Sequence, residues 1–130
     1  MSGLIARSVH VAELLLDTDV FVDHIRGARR LPVSRPAAYS VITRCELFAG
    51  DAKDEPVVRA LLASHAEIEV VAPIAERAGR LQRDISRLRT PDALIAATAL
   101  ERDLELVTRN RRDFAAVPGL RVRDPASLNP

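Results

Sequence analysis

The sequence has little of what several common classes of protein need. Cys45 is the only cysteine, which excludes an internal disulfide and a cysteine-rich zinc site. Aromatic residues make up 3% of the chain and tryptophan is absent, so few side chains are present to stack on unpaired nucleic-acid bases. No apolar run approaches the roughly 18 residues of a membrane-spanning helix, and residues 1–13 lack the ordered regions of a secretory signal peptide. We therefore expect a protein of the reducing cytoplasm, with no membrane partner.

Lysine is also scarce, and the balance of charge is nearly neutral. Lys53 is the only lysine, so nearly all of the 19 basic residues are arginine, and the formal net charge is +1. The bulk charge therefore does not indicate a nucleic-acid-binding protein. With 130 residues, of which 48% are apolar and 28% charged, the chain has the composition of one ordinary globular domain. We predict a short leader at 1–12 and a single domain at 13–130.

Apolar runs and the turn residues between them predict strands that alternate with helices. The run Leu14–Leu16 is continuous, as in buried central strands. This alternation predicts an α/β fold with a mainly parallel sheet of four to five strands flanked by helices. The predicted strands lie at 14–16, 37–42, 68–71, 104–108 and 120–123, and the predicted helices at 19–29, 43–49, 55–64, 73–88 and 90–102.

Four acidic residues follow predicted strands or begin predicted helices. In a parallel sheet the carboxyl ends of the strands and the amino ends of the helices meet at one edge, where binding sites form. The four residues are Asp17, Glu46, Asp92 and Asp113. Because they are far apart in the sequence, spacing alone does not show whether they converge.

The first two of these residues also have a purely structural interpretation. Asp17, with Thr18 and Asp19, can cap the first helix. Thr43 and Glu46 match the capping box, in which the glutamate accepts a hydrogen bond from the backbone of the cap residue. Both alternatives remain open at this point.

The later two acids can likewise be helix-end residues. Asp92 follows a Thr90 cap and Pro91, where the helix dipole favours a carboxylate, and Asp113 can cap a short helical turn. The helix after Asp92, however, is apolar on nearly every face and should be buried. Asp17 similarly ends the most apolar strand. Buried carboxylates are unfavourable unless they are paired or bind a cation, and a divalent cation relieves the repulsion between two of them.

Four short motifs follow one another along the chain, and the resemblance that they carry covers residues 14–124. They read Leu-Leu-Leu-Asp17-Thr-Asp-Val, Ile42-Thr-Arg-Cys-Glu46-Leu-Phe-Ala-Gly, Pro91-Asp92-Ala-Leu-Ile-Ala-Ala-Thr-Ala and Leu106-Val-Thr-Arg-Asn110-Arg-Arg-Asp113-Phe. In this order and at this spacing they resemble the PIN-domain family and, more narrowly, the VapC-type ribonuclease toxins of type II toxin–antitoxin systems.

The resemblance implies a PIN-like three-layer sandwich with an acidic triad at Asp17, Glu46 and Asp92. It places the fourth acidic position at Asn110 or Asp113. Many relatives have an aspartate where this chain has the amide of Asn110, so we assign the fourth catalytic role to Asp113. The loop between the helix predicted to end at 88 and Asp92 is shorter than in many relatives, so the resemblance does not define the width of the substrate groove.

The chemistry implied is that of a metal-dependent ribonuclease. Carboxylate oxygens select Mg²⁺, with Mn²⁺ as a substitute, over zinc. Asp17 and Asp92 would hold the ion directly, and Glu46 and Asp113 would do so directly or through water. The ion would lower the pKa of a water that attacks the RNA phosphodiester bond. An acidic site repels RNA, so we expect substrate-binding groups at its rim; the candidates are Thr18, Arg44, Arg109, Asn110, Arg111 and Arg112.

A VapC-type toxin would act with a partner. The resemblance implies a small VapB-type antitoxin whose C-terminal segment covers the groove, a homodimer, and a heterotetramer or larger assembly with the antitoxin. Two alternatives are weighed against this. The motif at Asp17 also resembles the nucleophile of haloacid-dehalogenase-type phosphatases, but Lys53 comes too early for the lysine that those enzymes need. The other is a PIN-like binding module without activity, against which the three retained acids argue.

Overall fold

The computed structural model describes residues 12–31 and 35–128. The predicted leader at 1–12 lies outside these residues apart from Ala12. Within them, the strands are β1 (Leu14–Leu16), β2 (Ala37–Ser40), β3 (Ala66–Ile68), β4 (Glu105–Val107) and β5 (Val122–Arg123). The helices are α1 (Thr18–Ile25), α2 (Val41–Phe48), α3 (Glu55–Ala63), α4 (Ala72–Asp84), α5 (Thr90–Arg102) and α6 (Arg111–Phe114), with 3₁₀ turns at Ala52–Asp54 and Pro125–Ser127.

The five strands form one parallel sheet in the order β3-β2-β1-β4-β5. In the central strand β1, Leu15 pairs with Ala38 of β2 on one side and with Leu106 of β4 on the other. The chain leaves β1 toward β2 and β3, and later returns to the opposite side of β1 with β4. The strand order therefore reverses between β1 and β4, and the carboxyl ends of these two strands border the crevice where such sheets place their sites.

Successive residues of β1 face opposite sides of the sheet. Leu15 packs in a core cluster with residues of α4 and α5, whereas Leu14 and Leu16 pack in a second cluster with residues of α1, α2 and α3. All three leucines are fully buried, which explains why the run is continuous instead of alternating with polar residues. The predicted α/β three-layer sandwich is confirmed.

Several predicted element bounds are wrong by a few residues. β2 ends at Ser40 because its hydroxyl caps α2, accepting a hydrogen bond from the backbone N–H of Ile42 at 3.1 Å. β3 lies at 66–68 because it pairs with the part of β2 that ends at Ser40. Helix α4 ends at Asp84, before the predicted end at 88. Helix α1 ends at Ile25, before the predicted end at 29, and Gly27 follows in the left-handed conformation, with φ at 75°.

Helix α5 forms at its predicted bounds, and it positions one of the candidate acids. Six of its residues between Ala93 and Ala99 are buried, and most of them are small, so the helix packs closely on the sheet. It ends at Asp103, whose left-handed conformation (φ 54°) terminates it. No helix in the described ranges is long and apolar enough to cross a lipid bilayer.

Candidate active site

Asp17 lies at the carboxyl end of β1 and caps α1. Its Oδ1 accepts a hydrogen bond from the backbone N–H of Thr18 at 2.8 Å, which confirms the capping interpretation. Its Oδ2 accepts a second hydrogen bond, also of 2.8 Å, from the hydroxyl of Thr108 just beyond β4. The residue is only 5% exposed. Both oxygens of Asp17 are therefore fixed at the point where the strand order reverses, which capping alone would not require.

Asp19 is a half-buried carboxylate beside Asp17, and the sequence did not assign it to the site. Its Oδ2 accepts hydrogen bonds from the Thr108 hydroxyl and from the backbone N–H of Arg109, both at 3.1 Å. Its Oδ1 is buried and has no hydrogen-bond partner among the described residues. The only sequence signal for Asp19 is the alternation of acids in Asp17-Thr18-Asp19, and helix capping already explains that pattern.

The pKa values of Asp17 and Asp19 are both higher than those of ordinary carboxyl groups. Burial, followed by the charge of Asp19, raises the pKa of Asp17 to about 7. Burial also raises the pKa of Asp19, although the hydrogen bonds from Thr108 and Arg109 oppose the effect. Two carboxylates in this environment resist being ionised together unless a cation compensates for their charge.

Glu46 is held near Asp17 by a side chain of α1. Thr43 lies inside α2, whose cap is Ser40, so the predicted capping box of Thr43 and Glu46 is wrong. Instead, the Thr18 hydroxyl donates a hydrogen bond to Oε1 of Glu46 at 2.6 Å and lies 3.0 Å from the Thr43 hydroxyl. Because Thr18 directly follows Asp17, this bond ties the Glu46 carboxylate to the end of β1.

Asp92 lies in the first turn of α5, but not behind the predicted cap. The cap position is Arg89, which makes no side-chain capping hydrogen bond, so the predicted Thr90 cap is wrong. The Thr90 hydroxyl instead accepts a hydrogen bond of 3.0 Å from the side-chain amide of Gln82 on α4. Asp92 therefore lies on a helix whose first turn is held by a hydrogen bond from α4.

The charges of the four predicted acids act on one another. Burial raises the pKa of Asp92, and the charges of Asp113 and Glu46 raise it further. The charge of Asp92 in turn contributes to the raised pKa of Asp17. The structure thus brings the four acids into one electrostatic environment. Of the two candidates for the fourth position, Asn110 directly precedes α6, and Asp113 lies within α6, where its charge contributes to the raised pKa of Asp92.

The donor chemistry of this cluster fits a hard divalent cation. All the candidate ligands are carboxylate oxygens, and the unpartnered buried Oδ1 of Asp19 adds another. Among the residues that the structure describes, no three acidic, histidine or cysteine side chains are close enough to form a ready-made metal centre. Mg²⁺ does not require one, since it keeps several waters and binds through one or two carboxylates.

Two of the predicted substrate-binding arginines are engaged with other parts of the protein. Arg44 forms an ion pair with Glu67 and donates a hydrogen bond to the Tyr39 hydroxyl at 3.1 Å. Arg109 forms an ion pair of 2.7 Å with Asp23 on α1. These partners lie 23 and 86 positions away in the sequence, so no local pattern indicates them. Both guanidinium groups therefore have structural partners that occupy some of their donors.

The other predicted rim residues are less engaged with the rest of the protein than Arg44 and Arg109 are. Arg111 and Arg112 are exposed and form no ion pair with any residue in the described ranges. Asn110 is also exposed. Thr18 lies within the site, where its hydroxyl is already used by Glu46. The side chains available at the rim are therefore concentrated at the start of α6.

Residues 14–120 match the sequence profile of the PIN domain. The chain belongs to the PIN-domain family. Ribonuclease VapC10 of Mycobacterium tuberculosis is 39% identical to this PIN-domain chain over 132 residues, which cover 85% of the chain and 98% of the relative. The tRNA(fMet)-specific endonuclease VapC of Salmonella typhimurium is 30% identical over 129 residues, which cover 86% of the chain and 97% of the relative.

Solved structures of toxin–antitoxin complexes share this PIN-domain fold. A toxin–antitoxin complex from Klebsiella pneumoniae contains a chain that is 34% identical, with a TM-score of 0.70 and coverage of 87% of this chain and 98% of that one. DNA-bound VapBC from Salmonella typhimurium contains one that is 25% identical, with a TM-score of 0.77 and the same coverage. The resemblance to VapC-type toxins is confirmed.

Proposed function

We propose that this chain is the ribonuclease toxin of a toxin–antitoxin pair, and that it hydrolyses RNA phosphodiester bonds with the help of Mg²⁺. The observation that carries the proposal is the buried Asp17 at the reversal of strand order, electrostatically coupled to Asp92. Nuclease activity is supported by the relatives named ribonuclease and endonuclease. The dependence on Mg²⁺ is supported by the purely oxygen donor set of the site.

The residues of the chain supply the binding and orientation that this reaction needs. Asp17 and Asp92 would hold the ion, with Glu46 and Asp113 completing the acidic cluster directly or through water. Thr108 orients the carboxylate of Asp17. When bound, the ion supplies positive charge that offsets the charge of the phosphate and lowers the pKa of the attacking water.

The antitoxin is the second part of the proposal. The similar structures are complexes of a toxin with its antitoxin, some of them bound to DNA. A groove of about 460 Å³ beside Glu46 is lined by apolar residues, among them Val22, Ile25 and Val58, and by charged ones, among them Arg26, Lys53 and Asp54, so it offers a mixed surface next to the acidic cluster. We propose that a small antitoxin binds across the site, within an assembly of homodimers. We also propose that the protein acts in the cytoplasm, where RNA substrates are found.

Cleavage of RNA by the purified chain tests this function. With Mg²⁺ we expect cleavage, which EDTA abolishes and added Mg²⁺ or Mn²⁺ restores. Asp17→Ala and Asp92→Ala should each lower the rate by roughly 100-fold or more, because each removes a proposed ligand. Asp84→Ala, which changes an exposed aspartate on α4, is the control. Cleavage that survives EDTA and both substitutions in folded protein contradicts the proposal.

The same preparation separates the two alternatives. Hydrolysis of a small phosphomonoester that depends on Asp17, without cleavage of RNA, would indicate the phosphatase. A folded protein that binds antitoxin but has no metal-dependent activity on any RNA would indicate the silent binding module.

A further inference from the structure

A small pocket adjoins the acidic cluster on the side of α5 and α6. Its volume is about 170 Å³, and two of the candidate catalytic acids, Asp92 and Asp113, contribute to its wall. Three arginines, Arg87, Arg89 and Arg112, line the rest of it together with Ile85, Leu88 and Ala116. The volume is below the roughly 300 Å³ at which pockets for whole small molecules begin, so it suits one compact group.

The arginines of this pocket form none of the ion pairs that eight other arginines form within the described residues. Across residues 12–31 and 35–128, Arg87, Arg89 and Arg112 form no ion pair. Arg77 pairs with Glu101 at 2.7 Å, and Arg109 pairs with Asp23 at the same distance. The charge of Arg89 opposes the rise in the pKa of Asp92, but no ion pair within the described residues occupies the donors of the three guanidinium groups. These donors are therefore available to an anion. Each guanidinium group can offer two parallel N–H groups to a phosphate.

The segment that carries two of these arginines is anchored. Leu88, between Arg87 and Arg89, is only 5% exposed, and its backbone N–H donates to the carbonyl of Ile85 at 3.0 Å. The side-chain amide of Gln82 donates to the carbonyl of Leu88 at 3.2 Å. The short link between α4 and α5 therefore holds the two arginines on either side of a buried residue. Such anchoring reduces the entropy lost when they bind a ligand.

The third arginine comes from a different element that is also fixed. Arg112 belongs to α6, and Phe114 of the same helix is buried in the core. The amino end of α6 is held by the hydrogen bond from Asn110 to the Thr108 hydroxyl. The two sides of the pocket are thus tied to the elements that carry the acids.

We propose that this pocket binds a phosphate of the RNA strand next to the phosphate that is cleaved. This inference rests on the proposed function. Phosphates recur at every nucleotide, so an RNA strand with one phosphate at the acidic cluster necessarily brings another beside it. Because Asp92 and Asp113 border both the cluster and the pocket, the neighbouring phosphate has the arginines within reach. Their charge also offsets the repulsion between the acids and the strand.

Arginine-to-glutamine variants test the proposal, because they keep most of the side chain while removing its charge. We expect Arg87→Gln, Arg89→Gln and Arg112→Gln each to raise KM for RNA roughly tenfold, with a much smaller change in kcat. Arg112→Lys should recover part of the loss, since it restores the charge without the paired donors. Arg80→Gln and Arg102→Gln, at exposed arginines outside the pocket that also form no ion pair with a described residue, should leave KM unchanged.

The salt dependence of RNA binding provides the second measurement. Binding is measured with Asp17→Asn as background, so that the RNA stays intact. Each pocket variant should lower the slope of log K against log salt concentration by about 0.7, the value for one lost contact to a single-stranded phosphate. Gln82→Ala should raise KM but lower this slope by less than about 0.7. The change loosens the segment between α4 and α5 but keeps the charges of the arginines.

The outcomes distinguish this inference from the function on which it rests. RNA cleavage in which the pocket variants match the Arg80 and Arg102 controls, in both KM and salt slope, overturns the phosphate pocket and leaves the ribonuclease intact. If the pocket variants bind RNA as the native chain does but bind a glutamate-rich peptide more weakly, the phosphate pocket is overturned in favour of a site for a protein ligand. Absence of any RNA binding or cleavage by the native chain overturns both.

Discussion

The hydroxyl of Thr108 lies 2.8 Å from Oδ2 of Asp17 and joins the ends of β4 and β1 across 91 positions of sequence. The same hydroxyl lies 3.1 Å from Oδ2 of Asp19 and accepts a hydrogen bond from the backbone N–H of Asn110 at 3.0 Å. A hydroxyl has only one proton to donate. Thr108 therefore divides that proton between two carboxylates and is the central polar contact of the site.

Replacement of Thr108 by valine should weaken both the fold and the site. The change keeps the shape but leaves the buried Asp17 without one of its donors, and an unsatisfied buried group is unfavourable by about 1–3 kcal/mol. We expect the free energy of unfolding in urea to fall by that amount and RNA cleavage to fall roughly tenfold or more. Thr108→Ser retains the hydroxyl and should behave like the native protein. Equal losses in the serine and valine variants would show that the hydroxyl is not the cause.

Neutralising Asp17 should stabilise the metal-free protein at neutral pH. The pKa of Asp17 is about 7 in the folded protein against an ordinary value of 3.8, so between these values the folded state binds more protons than the unfolded state. The stabilising contribution is complete below about pH 4 and is lost as the pH rises through 7. The difference between the two pKa values corresponds to about 4 kcal/mol of the free energy of unfolding, an upper value for a single group. Asp17→Asn should remove this loss.

Urea unfolding of the native protein and the variant at pH 4 to 8, in the presence of EDTA, measures this effect. The stability gained by Asp17→Asn should grow with pH and level off above 7. Asp84→Asn, at an exposed position of α4, should show no such trend. A native protein that gains stability relative to Asp17→Asn as the pH rises would show that the carboxylate is paired and not merely buried.

The sequence predicted the framework of this molecule because the framework depends on local patterns. The run Leu14–Leu16 predicted the buried central strand, and the small apolar residues after Pro91 predicted α5 at its observed bounds. Asp17 became a candidate because it follows that strand directly. These signals lie within one element and reflect burial or helix-end chemistry, which a few neighbouring residues determine.

The missed features all depend on contacts between distant elements. Ser40 and Thr43 are both suitable caps, and only the pairing of β2 with its neighbours decides in favour of Ser40. Thr18 holds Glu46 across 28 positions. The partner of Arg109 is Asp23 on a helix near the other end of the chain. Residue identity gives no indication of such pairs, because each side chain has several equally suitable partners until the fold brings one of them close.

Thr18 should contribute to activity through its hydroxyl alone. Thr18→Val removes the hydrogen bond of 2.6 Å to Glu46 and the contact with Thr43. The freed Glu46 carboxylate is exposed and can turn into water. We expect roughly a tenfold loss in kcat with a small change in stability, measured by single-turnover cleavage and thermal unfolding. Thr18→Ser should restore the rate, and failure of serine to do so would assign the effect to the methyl group.

Binding of Mg²⁺ should release a proton near neutral pH. Because burial and the charge of Asp19 raise the pKa of Asp17 to about 7, a large fraction of the Asp17 carboxyl groups is protonated at pH 7 and must lose the proton to bind a cation. The affinity for Mg²⁺ should therefore fall about tenfold per pH unit well below 7 and become constant well above it. An ordinary carboxylate site would show this dependence only near pH 4.

Calorimetric titration with Mg²⁺ at pH 5.5 to 8.5, in buffers of different ionisation enthalpy, measures both the affinity and the protons released. About half a proton should be released at pH 7 and almost none at pH 8.5. Thr108→Val removes a donor that favours the ionised form of Asp17, so it should move the whole transition to higher pH. Asp84→Asn should leave it in place. Mg²⁺ binding that is independent of pH between 5.5 and 8.5 would mean that Asp17 is already ionised, and that the cation is held by other carboxylates.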